Sequence, residues 1–344
     1  MPPLRIAILV AARNEADVIE RKVVWTDRLA FPPLPGGLAH LAVIVDDGSS
    51  DGTAERARAA VARCAKRADL QWRVVANRRR AGKGGALLTG FDEAEGYDLV
   101  AMTDADAITT TDAPVATARR FEADARLGAL SGTQRYARAI GAHGPDGDAR
   151  DLYDRLSERA RAAESRFGAL FSVHGPWLVV RASSGARPIE GVGADDLDVA
   201  LAVRRAGLRV ELAKEIVCFE VKPQGTALAE QRLRRARAFF EAMDRNLAGA
   251  ARTAPVPWGA LQVAAYAFGP PLLAMAFFAL AAAPAAAAWI ASGRAAMGLA
   301  AALATAALLV WPPFPTCARY AAVILRARFS RPRARADQWQ PVVR

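Results

Sequence analysis

The 344-residue sequence carries 46 Lys and Arg against 35 Asp and Glu, a formal charge of +11, and is 53% hydrophobic. That apolar content excludes a disordered chain, and the length suits about two domains. Three cysteines, Cys64, Cys218 and Cys317, are too few and too scattered for a disulfide framework or a zinc site, which favours a reducing, cytosol-facing location.

In chain order, residues 4 to about 250 read as alternating strands and helices. Leu4 to Ala12 is a continuous apolar strand; its apolar run, Ile6 to Ala12, is too short for a signal peptide and leads straight into Arg13-Asn14-Glu15. Leu41 to Val45 is the next strand, ending in Asp46-Asp47-Gly48-Ser49-Ser50-Asp51-Gly52-Thr53, with helical residues following to Arg67. Trp72 to Ala76 predicts a strand, Gly82 to Ala94 a helix, and Leu99 to Thr103 a strand running into Asp104-Ala105-Asp106. Unbroken apolar runs are strands buried on both faces. Their alternation with helices predicts a mostly parallel twisted sheet with helices on both faces, where ligands bind beyond the carboxyl ends of the strands. Gly141 to Asp148 reads as an exposed loop and Ala182 to Arg187 as a turn-rich break. Asp195-Asp196-Leu197-Asp198 opens an amphipathic helix, Leu197 to Ala206.

Beyond this region the charge pattern changes. Two apolar runs, Trp258 to Ala283 and Ala295 to Trp311, are flanked by arginines: Arg232, Arg234, Arg235, Arg237, Arg245 and Arg252 before them, and Arg326, Arg328, Arg331, Arg333, Arg335 and Arg344 after. Read as a transmembrane hairpin, with only Arg294 between the spans, this places both ends in the cytoplasm. The expected organisation is a cytoplasmic domain over 1–250, about two spans over 251–325, and a basic tail over 326–344, in a multi-pass protein of the inner membrane. The arginines lack interleaved aromatics, so anionic headgroups of membrane lipids are expected against them, and no nucleic acid.

Several clusters carry possible chemistry. Asp104 and Asp106, one residue apart after a buried strand, can present oxygens to one Mg²⁺ or Mn²⁺ that holds substrate phosphates; an ordinary acidic turn is the alternative. Asp46 or Asp47 can accept hydrogen bonds from a base or ribose, or cap the next helix. Arg78-Arg79-Arg80-Ala81-Gly82-Lys83-Gly84-Gly85 leads into a helix start that suits phosphate, with Lys83 as a point charge, or else is a solvated basic turn. Three acids at 195–198 exceed what helix capping needs, leaving one for general-base work. Gln231, Arg232 and Arg234 stand on a helix before the apolar runs, where arginine forks bind diphosphate or headgroups. His40, His143 and His174 share no spacing that makes a metal cluster; His174 reads as structural.

Taken in order, Val10-Ala11-Ala12-Arg13-Asn14-Glu15, Asp46 through Thr53, Gly82-Lys83-Gly84-Gly85-Ala86-Leu87, Asp104-Ala105-Asp106, Asp195-Asp196 and Gln231-Arg232-Leu233-Arg234 resemble family 2 glycosyltransferases over residues 4–245. The trailing segments are similar to that family's membrane-bound branch, which includes cellulose, hyaluronan and ceramide-glucose synthases. The resemblance implies a GT-A nucleotide-sugar-binding fold and inversion at the anomeric carbon. It implies that Glu15 and Asp46 or Asp47 hold the nucleoside of a nucleotide-diphosphate sugar, that Asp104 faces the ribose–diphosphate, and that Asp106 binds the metal. Asp196 would be the base that deprotonates the acceptor hydroxyl. Ala11 stands where the family has proline, Asp195 where it has glutamate, and Arg235 where it has the tryptophan of Gln-x-x-Arg-Trp. The lost tryptophan favours single transfer to a lipid, glycan or other membrane-proximal acceptor over processive synthesis. Two rivals share parts of the pattern: a nucleotidyltransferase, which has no use for Asp196, and a catalytically silent membrane-anchored relative that binds nucleotide sugar.

Overall fold

The computed structural model describes residues 3–64, 66–166, 170, 172–250, 258–291 and 313–329. The chain divides into two compact units, Met1–Ala227 with Arg335–Arg344, and Leu228–Ala334.

In the first unit the strand β1 (Ile6–Ala12) is buried along its whole length. The period-2 alternation of a strand sends Ile6, Ile8, Val10 and Ala12 into one core layer and Ala7, Leu9 and Ala11 into the other. The first layer is closed by Ile19 and Val23 of α1 (Ile19–Asp27), Ala57 and Ala60 of α2 (Thr53–Cys64), and Phe121 of α4 (Ala113–Ala123). The second is closed by Ala86, Leu87 and Phe91 of α3 (Lys83–Glu93) and by Val199 and Ala200 of α6 (Asp195–Arg205). Helices therefore cover both faces, as the apolar runs require.

Eight strands form one sheet in the order β3-β2-β1-β4-β9-β6-β10-β5. β2 (His40–Asp46), β3 (Leu70–Ala76) and β4 (Leu99–Asp104) run parallel to β1. β6 (Leu127–Ala137) and β10 (Arg209–Val221) also run parallel to each other. β9 (Leu178–Arg181) joins the two halves antiparallel to both β4 and β6, and the short β5 (Ile108–Thr109) pairs antiparallel with β10. The sheet is thus mixed rather than mostly parallel. The stretch read as a loop at 141–148 belongs to a small hairpin of β7 (Ala139–Gly141) and β8 (Gly144–Asp146). Helix α5 (Leu152–Arg166) precedes β9.

The antiparallel entry of β9 matters for the site. Because Leu178 pairs with Met102, the residues just before β9 arrive over the carboxyl end of β4. They form one 3₁₀ turn, Gly175–Trp177, anchored by the buried Trp177 ring, whose Nε1–H donates to Thr117 Oγ1 at 3.2 Å.

The second unit holds most of α7 (Gly225–Ala250), together with α8 (Trp258–Ala291) and α9 (Pro313–Phe329). Arg328 ties it together: its guanidinium meets Asp244 at 2.7 Å and lies over the rings of Phe240 and Phe268. The expected transmembrane hairpin, and with it the multi-pass inner-membrane location, is overturned. Among the described residues no helix is long and apolar enough to cross a membrane. The first run folds as α8, which is rich in alanine and holds Pro270, Pro271 and Pro284. Each alanine offers one methyl, about 0.8 kcal/mol of transfer energy, against about 1.5–3 kcal/mol for leucine or phenylalanine. The second run, Ala295 to Trp311, and the tail arginines from Arg331 onward lie outside the described residues.

Candidate active site

The site grows from the strand register. Ala12 pairs with Asp46 and Ala11 with Asp104, so the two acids flank the end of β1. The turn after β1 is held by the loop after β2. Asn14 N–H donates to Ser49 Oγ (2.9 Å), Ser50 N–H to Asn14 Oδ1 (2.9 Å), Glu15 N–H to Thr53 Oγ1 (2.8 Å) and Ala16 N–H to Asp51 Oδ2 (3.0 Å). Asn14 sits at φ 54°, the left-handed region that asparagine tolerates. Burial opposes ionisation of Asp51, but hydrogen bonds from Thr53 and the Ala16 N–H hold its carboxyl below the usual range. Ser49, Asp51 and Thr53 are therefore a clamp that fixes where Glu15 stands.

Asp46 and Asp47 differ in what they hold. Asp47 is buried and accepts from Asn77 Nδ2 (2.6 Å), Gly82 N–H (2.8 Å) and Arg13 Nη1 (3.5 Å). Asp46 accepts the Ser49 N–H through Oδ2, at 3.2 Å, while its Oδ1 is buried with no partner among the described residues. A buried acceptor left open in this way suits a donor on a bound molecule.

Gly82 opens α3 at φ 122° and ψ 160°, a conformation close to glycine-only. Lys83, the first helical residue, reaches Asp104 Oδ1 at 2.7 Å and Asp195 Oδ2 at 3.5 Å. Burial works against the ammonium, but the charges of Asp104, Asp195 and Asp196 outweigh it and hold Lys83 above the ordinary lysine value. Asp195 and Asp196 start α6. Burial raises both carboxyls; for Asp196 the burial and the neighbouring Asp195 charge push it up to about 6. Asp196 Oδ1 accepts the Leu197 N–H at 2.8 Å.

Gly175 lies where these groups converge. A methyl built on it would stand 3.5 Å from Lys83 Nζ, 3.6 Å from Asp104 Oδ2 and 3.7 Å from Asp196 Oδ2. These are ordinary contacts, so alanine fits, but it fills the space the three polar atoms face. Gly175→Ala is expected to leave the thermal midpoint unchanged or slightly raised. It should lower turnover by at least about tenfold, given how steeply rate depends on reactant placement. Thermal melts and steady-state rates on the same sample check both halves.

On the other side of Asp104, one oxygen each of Asp104, Asp106 and Glu220 lie within 4.8 Å of one another. Glu220, on β10, is buried and accepts from Gln134 Nε2. Beneath them Lys22 of α1 is buried, its ammonium donating to Thr103 Oγ1 and Ala107 O, both at 2.7 Å, across the Asp104–Asp106 turn. Burial drives Lys22 down to about 8, against the pull of Asp104, Asp106, Cys218 and Glu220. An all-oxygen carboxylate set fits Mg²⁺ or Mn²⁺.

Glu15, Asp46, Asp47, Lys83, Asp104, Asp106 and Asp196 thus all stand at the carboxyl end of the sheet or on the turns beside it. Gln231, Arg232 and Arg234 stand on α7 in the second unit. Glu220, Lys22 and Asn77 had not been singled out from sequence.

An α/β layer with this mixed sheet and acids gathered beyond its strand ends defines the class of GT-A-like folds. The glycosyl transferase family 2 model matches residues 8–179, half of the chain, and the glycosyl transferase family 21 model matches 178–324. The chain belongs to glycosyl transferase family 2. It is 26% identical over 260 residues to the poly-β-1,6-N-acetyl-D-glucosamine synthase of Staphylococcus aureus, covering 73% of this chain and 58% of that protein. The chain therefore spans less than two thirds of the curated relatives it matches. Among solved structures it is similar to the mannosyltransferase PcManGT from Pyrobaculum calidifontis in complex with GDP-Man and Mn²⁺, with a TM-score of 0.70, 28% identity, and 94% and 86% of the two chains covered. It shares its fold with S. aureus TarS 1–349 in complex with UDP, at a TM-score of 0.51 and 14% identity over 94% and 89% of the two chains.

Proposed function

We propose that the protein transfers a sugar, with inversion, from a nucleotide-diphosphate donor to a hydroxyl of a glycan or lipid acceptor, in single transfers. The observation that carries this reading is the convergence of Lys83, Asp104 and Asp196 on the space beside Gly175. Asp46, with its open buried oxygen, takes the nucleoside together with Glu15, while Asp47 holds the glycine loop in place. Lys83 meets the diphosphate. Asp104, Asp106 and Glu220 hold a divalent cation, which supplies Lewis-acid neutralisation of the departing diphosphate. Asp196 takes the acceptor's hydroxyl proton. The acceptor oxygen bonds to the anomeric carbon as the bond to the diphosphate oxygen breaks, and the nucleoside diphosphate leaves with that electron pair. A carboxyl raised to about 6 is ionised at neutral pH yet more basic than an ordinary aspartate, which suits the task. No covalent intermediate forms, so no serine or cysteine nucleophile is required. The relative solved with GDP-Man and Mn²⁺ supports a guanosine or similar donor and a divalent cation. Arg235, where processive relatives carry tryptophan, supports single transfer.

The test is nucleoside diphosphate release from UDP- and GDP-sugars with Mn²⁺ or EDTA. Release from one donor that stops with EDTA is the expected result; EDTA-resistant transfer would remove the cation from the scheme. Asp106→Asn should weaken Mn²⁺ binding at least about tenfold, since even indirect ligand partners cost that much, and titration of the Mn²⁺ electron-spin signal reads it directly.

A further inference from the structure

Away from the donor site, the first unit holds a cavity of about 380 Å³ between α5 and the strands β6 and β10. Its charged lining is Arg135, Arg150, Arg155, Arg159, Lys214 and Glu158. The lining is thus +4, and still +3 when Asp148, bonded to Arg150 at 2.7 Å and to Arg155 at 3.4 Å, is added. Thr133 and Arg135 alternate along β6 with Gln134, which bonds Glu220, so the cavity opens on the opposite face of the sheet from the carboxylate cluster.

The existing acids do not neutralise it. Glu158 is already divided between Arg150 at 2.8 Å and Arg135 at 3.9 Å. Among the described residues, Arg159 and Lys214 meet no carboxylate. The Arg135 Nε is buried and meets no acceptor among the described residues. Collecting five cations around one hollow repels, and a buried donor without an acceptor is costly, the more so when it is charged. Both penalties are relieved by one kind of guest, an anion with several oxygens, for which guanidinium forks are the matching donors.

We propose that this cavity binds a phosphate-bearing anion at a site separate from the nucleotide-sugar site. The phosphate is either part of the acceptor or a free effector. Arg135 reaches it from β6 and Lys214 from β10, and Arg159 reaches it from α5. No lining residue is among those assigned to the donor, the cation or the base, so binding here can be read by itself.

The experiment is calorimetric titration of the full chain, in EDTA, with inorganic phosphate and with glycerol 3-phosphate. Arg159 and Lys214 are exposed, so the double variant Arg159→Ala/Lys214→Ala should fold as the parent does, with Arg135→Gln as a second, independent probe. The expected result is binding that survives EDTA and weakens at least about tenfold in either variant, the usual loss for a charge-assisted contact. Tighter binding of glycerol 3-phosphate than of phosphate assigns the site to a substrate's esterified phosphate; the reverse order assigns it to free phosphate. Absence of binding to the parent overturns the proposal, as does binding unchanged in both variants or restored only by adding Mn²⁺.

Discussion

Asp196→Asn is expected to lower the rate of transfer by about 10²–10⁴, the span a positioned general base contributes, while nucleotide binding stays close to the parent's. The two side chains have the same shape, and asparagine keeps the oxygen that accepts the Leu197 N–H. What it loses is the ability to take a proton. Steady-state transfer beside donor titration separates the two effects, and near-full turnover in the variant would sink the assignment of the base. The pH profile carries the same information. A base at Asp196 works only when ionised, so kcat/KM should be flat above its value of about 6 and fall roughly tenfold per unit below it. A divalent cation near the carboxylates favours the ionised form, so raising Mn²⁺ should move that limb toward acid. Lys83→Met should move it toward alkali, because Lys83 is the cation that opposes the rise.

Gly85→Ala is expected to cost about 2 kcal/mol or more of stability, although the same change inside an ordinary helix gains about 1 kcal/mol. The sign reverses because a methyl on Gly85 would lie 2.0 Å from the Arg80 carbonyl oxygen, a backbone atom that cannot turn aside. Gly84 is confined in the same way, 2.6 Å from the Ile189 carbonyl oxygen. Gly90, later in the same helix, would meet only the Leu9 side chain, at 3.1 Å, and supplies the control. Thermal melts should show Gly85→Ala several degrees below Gly90→Ala. Equal midpoints would mean that the loop from Arg78 to Gly82 yields freely, which would also undo its role in placing Lys83.

The glycines at 82, 84 and 85 show why so much of the candidate site was legible. Each is demanded by a local conformation or a close approach, and each stands beside the polar residue it positions. The same holds for Asp46 and Asp104, which end apolar strands, and for Asp196 at a helix start. Telling Asp46 from Asp47 needed the structure, because only the hydrogen bonds show that Asp47 is engaged three times while Asp46 has an oxygen open among the described residues. Glu220 and Lys22 were missed because topology, and not sequence proximity, brings them to Asp104. Each did leave a signal. Glu220 interrupts the apolar run Ile216-Val217-Cys218-Phe219, and Lys22 shares the buried stripe of α1 with Ile19, Val23 and Thr26. The first C-terminal run misled because alanine counts as apolar in a composition but brings little surface.

The strand order also governs when the site comes into being during synthesis. β1 to β4 are contiguous in sequence and pair with one another, so that half can assemble as soon as residue 104 is available. The other half interleaves, and β10, which brings Glu220, is the last strand to be made although it lies inside the sheet. A nascent chain that stops short of β10 carries two of the three clustered carboxylates, and one that stops short of α6 also lacks Asp196. If the three carboxylates hold a cation as proposed, tight binding belongs only to the completed domain, and its onset can serve as a clock for the slow, long-range step of folding.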